Sequence, residues 1–335
     1  YERFIANEEI TLFSPHDVPG LYDSFGTESF DELYLKYEQD ESIPKTKIGG
    51  QELILELLKE RAETGRIYIM NIDHCNSHSS FLDKVEMSNL CQEITLPTKP
   101  LQHIDDKTGE IALCILSAIN IGKIRDVEDL QVLCDLSIRS LDELIDFQGY
   151  PINAAEIATR ARRSLGVGFI GLAHYLAKQG VKYDDPEAWK LVHDLTEGFQ
   201  YYLIKASVNL AKEKGACEYS DRTKYSQGIL PIDTYKEDVD ELVPNNLNCD
   251  WESLREEVKQ YGIRNSTLSA QMPSESSSVV CNATNGIEPP RGYLSIKKSK
   301  KGPLKQIVPS YNALKNNYTL LWLSLIHISE PTRPY

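Results

Sequence analysis

From residue 126 to residue 214 the chain carries an almost unbroken helical pattern, and this stretch limits the possible folds more than any other part of the sequence. Residues 126–147 repeat leucine and isoleucine at three- and four-residue spacing, with acidic residues in the first turn, where the helix dipole favours them. Residues 153–179 and 186–214 read as two further long helices, closed by Gly180 and Gly215 at the usual stop position. Residues 66–72 (Arg-Ile-Tyr-Ile-Met-Asn-Ile) and 111–117 (Ile-Ala-Leu-Cys-Ile-Leu-Ser) are short apolar runs suited to buried strands. Long helices alternating with short buried strands predict an α/β architecture of barrel type. Residues 216–265, with turns marked by Pro231, Pro244, Asn245 and Asn246, read as a small subdomain or a decorated edge.

At 335 residues, 41% hydrophobic and 26% charged, the chain has material for one large domain or two ordinary ones. Its net charge of −14 argues against wrapping a nucleic-acid backbone, which needs a basic surface, but leaves room for a single nucleotide in a local pocket of donors. The seven cysteines are sparse, irregularly spaced and without a CxxC pair, so a disulfide framework is not expected and a reducing cytoplasm is. No run approaches the roughly 20 apolar residues that span a bilayer, so no membrane partner is expected. The chain opens on Tyr1 without methionine, and further sequence is expected upstream. Residues 323–335 break the preceding pattern and read as translated adapter sequence, leaving 1–322 for the fold.

Asn89, Cys91 and Glu93 place an amide, a thiol and a carboxylate at alternate positions. In an extended segment the three share one face, where one small ligand could meet all of them. A buried cysteine flanked by surface polar groups is the plainer reading of such a triple. Against it, polar groups on the cysteine's own face would have to enter any core that held the thiol. The polar stretch 71–80 reads as a loop delivering the triple to a pocket, and Cys114 lies 23 residues on, a natural redox neighbour.

A second constellation, Met272-Pro273-Ser274-Glu275-Ser276-Ser277-Ser278, follows a β-capable run at 266–271 and leads into a short apolar stretch. Serines and free N–H groups at a helix start can bind phosphate, although a plain serine N-cap would look the same. Other patterns point elsewhere. Gly166-Val-Gly-Phe-Ile-Gly171 satisfies G-x-G-x-x-G, but the residues before it do not read as a strand, so close helix packing is the expectation. His74, Cys75 and His78 lack a second ligand cluster; a turn held by side-chain hydrogen bonds is expected there, and no metal site. Lys297, Lys298, Lys300 and Lys301 read as a solvated loop.

Five ordered motifs carry a family resemblance: Ser88-Asn-Leu-Cys-x-Glu93, Gly109-Glu-Ile-Ala-Leu-Cys114, Arg264-Asn-Ser-Thr-Leu-Ser-Ala270, Met272-Pro-Ser-Glu-Ser-Ser277 and Asn282-Ala-Thr-Asn-Gly-Ile-Glu-Pro-Pro-Arg-Gly292. Together they resemble the large, catalytic subunit of class I ribonucleoside-diphosphate reductases, from Tyr1 to about Trp322. The resemblance implies a partial ten-stranded α/β barrel with a central finger loop, and reduction of ribonucleoside diphosphates to deoxyribonucleotides by a thiyl-radical route. It implies Cys91 as the radical site, Glu93 as general base, Asn89 as ribose anchor and Cys114 as one of two redox-active cysteines. Residues Pro273, Ser274, Glu275, Ser276 and Ser277 would bind the substrate diphosphate; Ser276 stands where relatives often carry threonine. The implied partners are a metal-containing, radical-generating small subunit, a second large subunit, and thioredoxin or glutaredoxin as reductant. No cofactor is expected on this chain itself; ATP and deoxynucleotide effectors would bind upstream. Other thiyl-radical enzymes, such as an anaerobic or cobalamin-dependent reductase or a glycyl-radical enzyme, and an inactive regulatory homologue remain alternatives at this point.

Overall fold

The computed structural model describes residues 1–321 except 66, 245, 300 and 301. The expected adapter-like tail at 323–335 lies outside the described residues. The chain divides into two compact units, Tyr1–Ser79 and the described residues from Ser80 onward.

The first unit contains helix α1 (Glu2–Ala6), strand β1 (Glu9–Phe13), helix α2 (Glu28–Gln39), strand β2 (Lys45–Gly49), helix α3 (Gly50–Thr64) and helix α4 (Ile72–His78). β1 and β2 pair antiparallel, from Glu9 opposite Gly49 to Phe13 opposite Lys45. Arg3 grips both carboxylate oxygens of Glu38 at 2.7 Å, and the Thr11 hydroxyl donates to the same carboxylate at 2.6 Å, tying α1 and β1 to α2. The strand expected at 66–72 does not form: Arg66 lies outside the described residues, 67–71 are irregular, and Ile72 opens α4. With Tyr68 and Ile69 about half exposed, no sheet is available there to cover the apolar run. His74, Cys75 and His78 sit on α4 rather than in a turn.

The second unit holds strand β3 (Ile115–Asn120), helix α5 (Asp129–Phe147), helix α6 (Asn153–Arg162), strand β4 (Leu165–Ile170), helix α7 (Leu172–Gln179), helix α8 (Pro186–Lys214), helix α9 (Trp251–Tyr261), helix α10 (Glu275–Val280), the hairpin of β5 (Leu294–Ser299) and β6 (Gly302–Ile307), and helix α11 (Tyr311–Leu314). β3 and β4 run parallel in register from Ile115 opposite Leu165 to Asn120 opposite Ile170. The extended chain at 267–270 continues this sheet on the other side of β4: Leu165 N donates to Thr267 O, Val167 N to Leu268 O and Ala270 N to Val167 O. Among the described residues no sheet closes on itself. Lys297 and Lys298 belong to β5, so the expected lysine loop is a β-hairpin there; Lys300 and Lys301 lie outside the described residues.

α5 and α8 form as their periodicity predicts, α5 starting at Asp129 and burying Leu130, Cys134, Ile138, Leu141 and Ile145 along one stripe. That stripe packs with Leu195, Phe199, Leu203 and Ile204 of α8 in the main core. Residues 216–265 contribute Tyr225, Leu230, Trp251, Leu254, Val258 and Ile263 to the same core, so they form part of this unit rather than a separate one.

The expected helix at 153–179 is instead α6, β4 and α7. Arg163 takes a left-handed conformation, φ 48°, and stops α6. Every residue of β4 is buried. A strand covered on both faces shows no polar alternation, and Leu-Gly-Val-Gly-Phe-Ile therefore blends into the flanking helical patterns. The reason for setting aside the glycine motif stands, since residues 160–164 are the end of α6 and the turn after it; Gly166 and Gly168 themselves lie within β4 rather than in a packed helix.

The α6–β4 junction is fixed by buried charge. Asp142, fully buried, accepts from Arg163 Nε at 2.6 Å, Arg264 Nε at 3.2 Å and Asn265 Nδ2 at 3.1 Å, while Arg163 also reaches Asp146. Removing one partner strands a buried charge, which typically costs about 3–5 kcal/mol. Arg163→Met is expected to lower stability by about 3 kcal/mol in chemical denaturation, whereas Arg125→Met, at an exposed pair with Asp129, changes it by less than about 1 kcal/mol.

After β6, Val308 and Tyr318 pack on Ala173 and Ala177 of α7, and Asn317 Nδ2 donates to Ala177 O at 2.9 Å. The His174 ring stacks on Tyr318 and is held near pKa 4 by burial, with Lys178 and Lys123 adding to the effect. In an unfolded chain the same histidine binds a proton near pH 6.5. Between those values the unfolded state binds more protons, so stability falls as pH drops from 6.5 to 4. His174→Gln is expected to flatten that part of a melting-temperature profile; an unchanged slope would remove His174 as its source.

Candidate active site

The Asn89–Glu93 segment is a tight turn, not an extended strand. Ser88 bridges Thr95, Asn89 N donates to Ile94 O at 3.3 Å, Gln92 N donates to Asn89 O at 3.1 Å, and Gln92 adopts a left-handed φ of 61°. The Asn89 side-chain oxygen accepts from Ile94 N at 3.3 Å, closing the turn. The alternation argument for a shared face therefore does not hold: Cys91 sits exposed on the turn, beside Leu90 at 86% exposure. Glu93 ends the turn with Oε2 buried and unbonded.

Glu93 and Cys114 come together as expected. The Cys114 thiol is pushed up to about 11, first by burial and then by the Glu93 carboxylate. Cys114 immediately precedes β3, whose expected range of 111–117 moves to Ile115–Asn120. Next to it on β4 lies Gly166: a Cβ built there would meet Leu116 Cδ2 at 2.5 Å, Ala270 Cβ at 3.0 Å and Cys114 Sγ at 3.6 Å.

Glu93 also lines a cleft of about 1040 Å³ with Val167, Phe169, Ser269, Ala270 and Gln271. The cleft's far wall is apolar, including Leu176, Trp189, Val192 and Phe199. Gln271 was not singled out from sequence, yet its amide donates to Phe169 O at 2.8 Å and its oxygen accepts from Phe169 N at 3.4 Å. It extends the sheet by a side chain, and nothing in an isolated glutamine signals that.

From Gln271 the chain turns into α10, as the strand-to-helix reading of 266–280 predicts. Ser274 is the N-cap residue and is buried. Its hydroxyl accepts from Gly286 N at 3.1 Å and meets Asn285 Oδ1 at 3.2 Å, so it staples the 283–286 turn to the start of α10. Pro273, Glu275, Ser276 and Ser277 are exposed, and the Ser277 hydroxyl donates to Ser274 O at 3.2 Å.

The one group of potential metal ligands converging among the described residues is His193, Asp194 and Glu197. Glu197 is already saturated by Asn248 N, Asn248 Nδ2, Cys249 N and Trp251 Nε1 at 2.8–3.0 Å, the bonding of a structural carboxylate. No helix of the described residues is long and apolar enough to cross a membrane.

A parallel strand pair, a half-buried thiol beside a carboxylate and a helix start at the buried Ser274 define a thiol-bearing α/β site. The chain matches the family model for the ribonucleotide reductase barrel domain over residues 1–320, and it belongs to that family. It is 59% identical over 327 residues to the ribonucleoside-diphosphate reductase subunit alpha of Haemophilus influenzae and 56% identical to subunit alpha of reductase 1 of Escherichia coli, covering 96% of this chain and 43% of each relative. The subunit alpha of bacteriophage T4 is 45% identical over 329 residues, again with 96% of this chain and 43% of the relative covered. The chain thus spans less than half the length of these relatives.

The two site thiols differ in accessibility, and brief treatment of the native protein with iodoacetamide at pH 8 should show it. Mass mapping is expected to find Cys91 modified at least tenfold faster than Cys114, because only a thiolate attacks and Cys114, held near 11, has little of it. Equal labelling would contradict the burial of Cys114.

Proposed function

We propose that this chain is the part of a ribonucleoside-diphosphate reductase large subunit that carries the radical cysteine, and that the whole protein reduces ribonucleoside diphosphates to 2′-deoxyribonucleoside diphosphates for DNA synthesis. The observation that carries this reading is Glu93, its Oε2 buried and unbonded at the edge of a cleft, beside the half-buried Cys114 thiol, in a chain of this family. An unsatisfied buried carboxylate oxygen is costly to keep, and a substrate hydroxyl placed against it would supply the missing bond.

In this reading Cys91, as a thiyl radical, takes the 3′ hydrogen of the ribose and later returns it. Glu93 accepts the 3′-hydroxyl proton as general base, easing loss of the 2′ oxygen as water. Asn89 holds the ribose against the sulfur, its side-chain oxygen also fixing the turn. Cys114 and a second cysteine supply two electrons and close a disulfide. The Pro273–Ser277 segment receives the diphosphate through main-chain N–H groups and the exposed hydroxyls of Ser276 and Ser277. The complete fold is a ten-stranded α/β barrel with the Cys91 turn as its finger loop, which keeps a radical away from solvent. The protein works in the cytoplasm as a dimer of large subunits, takes its radical from a metal-containing small subunit, is reset by thioredoxin or glutaredoxin, and answers to ATP and deoxynucleotide effectors outside this chain.

In the intact holoenzyme, Cys91→Ser is expected to abolish deoxynucleotide formation while nucleoside-diphosphate binding persists. Glu93→Gln is expected to lower kcat by about 10²–10³-fold with KM within about threefold, as loss of a general base does. Appreciable turnover by Cys91→Ser would sink the mechanism, and an unchanged kcat in Glu93→Gln would remove the general base.

A further inference from the structure

The last of the five motifs, residues 282–292, forms no helix or strand, yet its first turn is bonded on several sides. Ala283 N donates to Ser278 O, in the last turn of α10, at 2.8 Å, and Gln306 Nε2 of β6 donates to Ala283 O at 3.0 Å. Gly171 N and Leu172 N, at the start of α7, donate to Thr284 O at 3.0 Å and to Gly286 O at 3.3 Å. At the other end of α10 the Ser274 hydroxyl accepts from Gly286 N at 3.1 Å and donates to Asn285 Oδ1 at 3.2 Å. One short turn thus grips both ends of α10 and ties them to the β4–α7 junction.

These bonds leave the Ser274 hydroxyl nothing to offer an anion. A serine hydroxyl carries one proton and two lone pairs. The proton lies toward Asn285 Oδ1 and one lone pair takes the Gly286 N–H; ionised phosphate oxygens only accept, so the second lone pair is of no use to them. Ser274 is also buried, at 3% exposure, and its hydroxyl bonds no N–H of its own helix, so it is not an ordinary serine cap. The amide that holds it is oriented in turn. Asn285 Nδ2 donates to Glu288 Oε2 at 3.3 Å, and since a carboxylate can take only the NH2 end, Oδ1 is left for Ser274.

We propose, on the reductase reading, that Asn285 is a positioning residue for the substrate diphosphate: it holds the Ser274 hydroxyl, and through it the start of α10, in the pose that receives the ligand. The serines of the segment then divide by task. Ser274 is the fastening, with its side chain turned inward, while Ser276 and Ser277 are exposed and meet the diphosphate with their hydroxyls and main-chain N–H groups. Without the Asn285 amide, the Ser274 proton loses its acceptor and the 283–286 turn keeps only the Gly286 N–H bond to the helix start. Without the Ser274 hydroxyl, both bonds go. Either change loosens the same main-chain groups, so the two residues act on the ligand as one unit although neither side chain touches it.

A double-mutant cycle in the intact holoenzyme tests this, read as the dissociation constant and KM of cytidine diphosphate. Ser274→Ala and Asn285→Ala are each expected to raise both constants about threefold to tenfold, the effect of one lost hydrogen bond, with kcat within about twofold. The double variant is expected to bind no more weakly than the weaker of the two single variants, because the side chains act together. Ser276→Ala combined with Asn285→Ala is expected to multiply the two losses, since the Ser276 hydroxyl meets the ligand on its own. Direct contact between the Ser274 hydroxyl and the diphosphate gives a different pattern: a loss in Ser274→Ala, little change in Asn285→Ala, and multiplied losses in the double variant. That pattern overturns the proposal, as does an unchanged dissociation constant in Asn285→Ala or a fall in kcat that follows melting temperature with KM unmoved. Should Asn285→Ala fold poorly, Asn285→Ser takes its place in the cycle, removing the amide while keeping a polar group in the turn, and the same outcomes decide. A parent holoenzyme that binds no cytidine diphosphate fails the reductase reading itself; a parent that binds it, with losses that multiply between Ser274 and Asn285, fails only the role of Asn285.

Discussion

Two consecutive arginines at the end of α6 hold the second unit together by leaving the backbone in different directions. Arg162 takes Glu110 Oε2 at 2.9 Å and Asp83 Oδ2 at 2.8 Å, and lies over the ring of Tyr219. Arg163 takes Asp142 and Asp146 of α5. Arg222 and Arg264 join the two groups from the chain beyond α8, and Ser266 N bonds the Arg162 carbonyl at 2.9 Å. Five separated stretches of sequence thus converge on this arginine pair where β4 begins, with each buried charge paired. Such a network contributes less to net stability than its number of contacts suggests, because desolvation offsets most of the attraction. Its effect is on geometry: other placements of 83, 110, 142 or 264 would leave a buried charge without a partner.

That junction decides where the site lies. Fixing the start of β4 fixes its register with β3, and so the position of Gly166 beside Cys114. Fixing Ser266 sets the extended chain alongside β4, which places Ala270 against the same glycine and Gln271 against Phe169. β4 turns Gly166 and Gly168 to one face, where three backbones come close, and Val167 and Phe169 to the other, where with Phe199 they join the main core and line the cleft shared with Glu93.

The helices that bury one stripe, α5 and α8, were legible in the sequence because an apolar period of 3.6 survives any tertiary context. β4 was not, since burial on both faces erases the alternation that marks a strand, and the signal for ending α6 was a left-handed arginine held by partners distant in sequence. The run at 66–72 shows the converse error: among its described residues, 67–71 join no sheet and are irregular, and Ile72 opens α4. In the site, residue identities were easier to read than conformation. Asn89, Cys91, Glu93 and Cys114 stand out as types, but the turn that carries the first three is set by the left-handed Gln92 and by Asn89 bonding its own loop. Gly166 and Gly168 were visible as a motif but read as helix-packing glycines, because the strand they belong to is buried throughout and carries no polar alternation to mark it.

The protonation state of Cys114 follows from the same packing. Cysteines that act as nucleophiles are placed near cations or helix N-termini, which lower their pKa and maintain a thiolate. Here burial and the neighbouring Glu93 carboxylate push Cys114 up to about 11, so at neutral pH it is a thiol. A thiol brings its proton with it. In the proposed reaction the two electrons leave the sulfurs together with two protons, one of which is needed when the 2′ oxygen departs as water. A thiolate would supply the electrons but require the proton from elsewhere, in a cleft whose walls are mostly apolar. Burial first, and the Glu93 carboxylate second, thus hold the reductant of the proposed reaction in its protonated form.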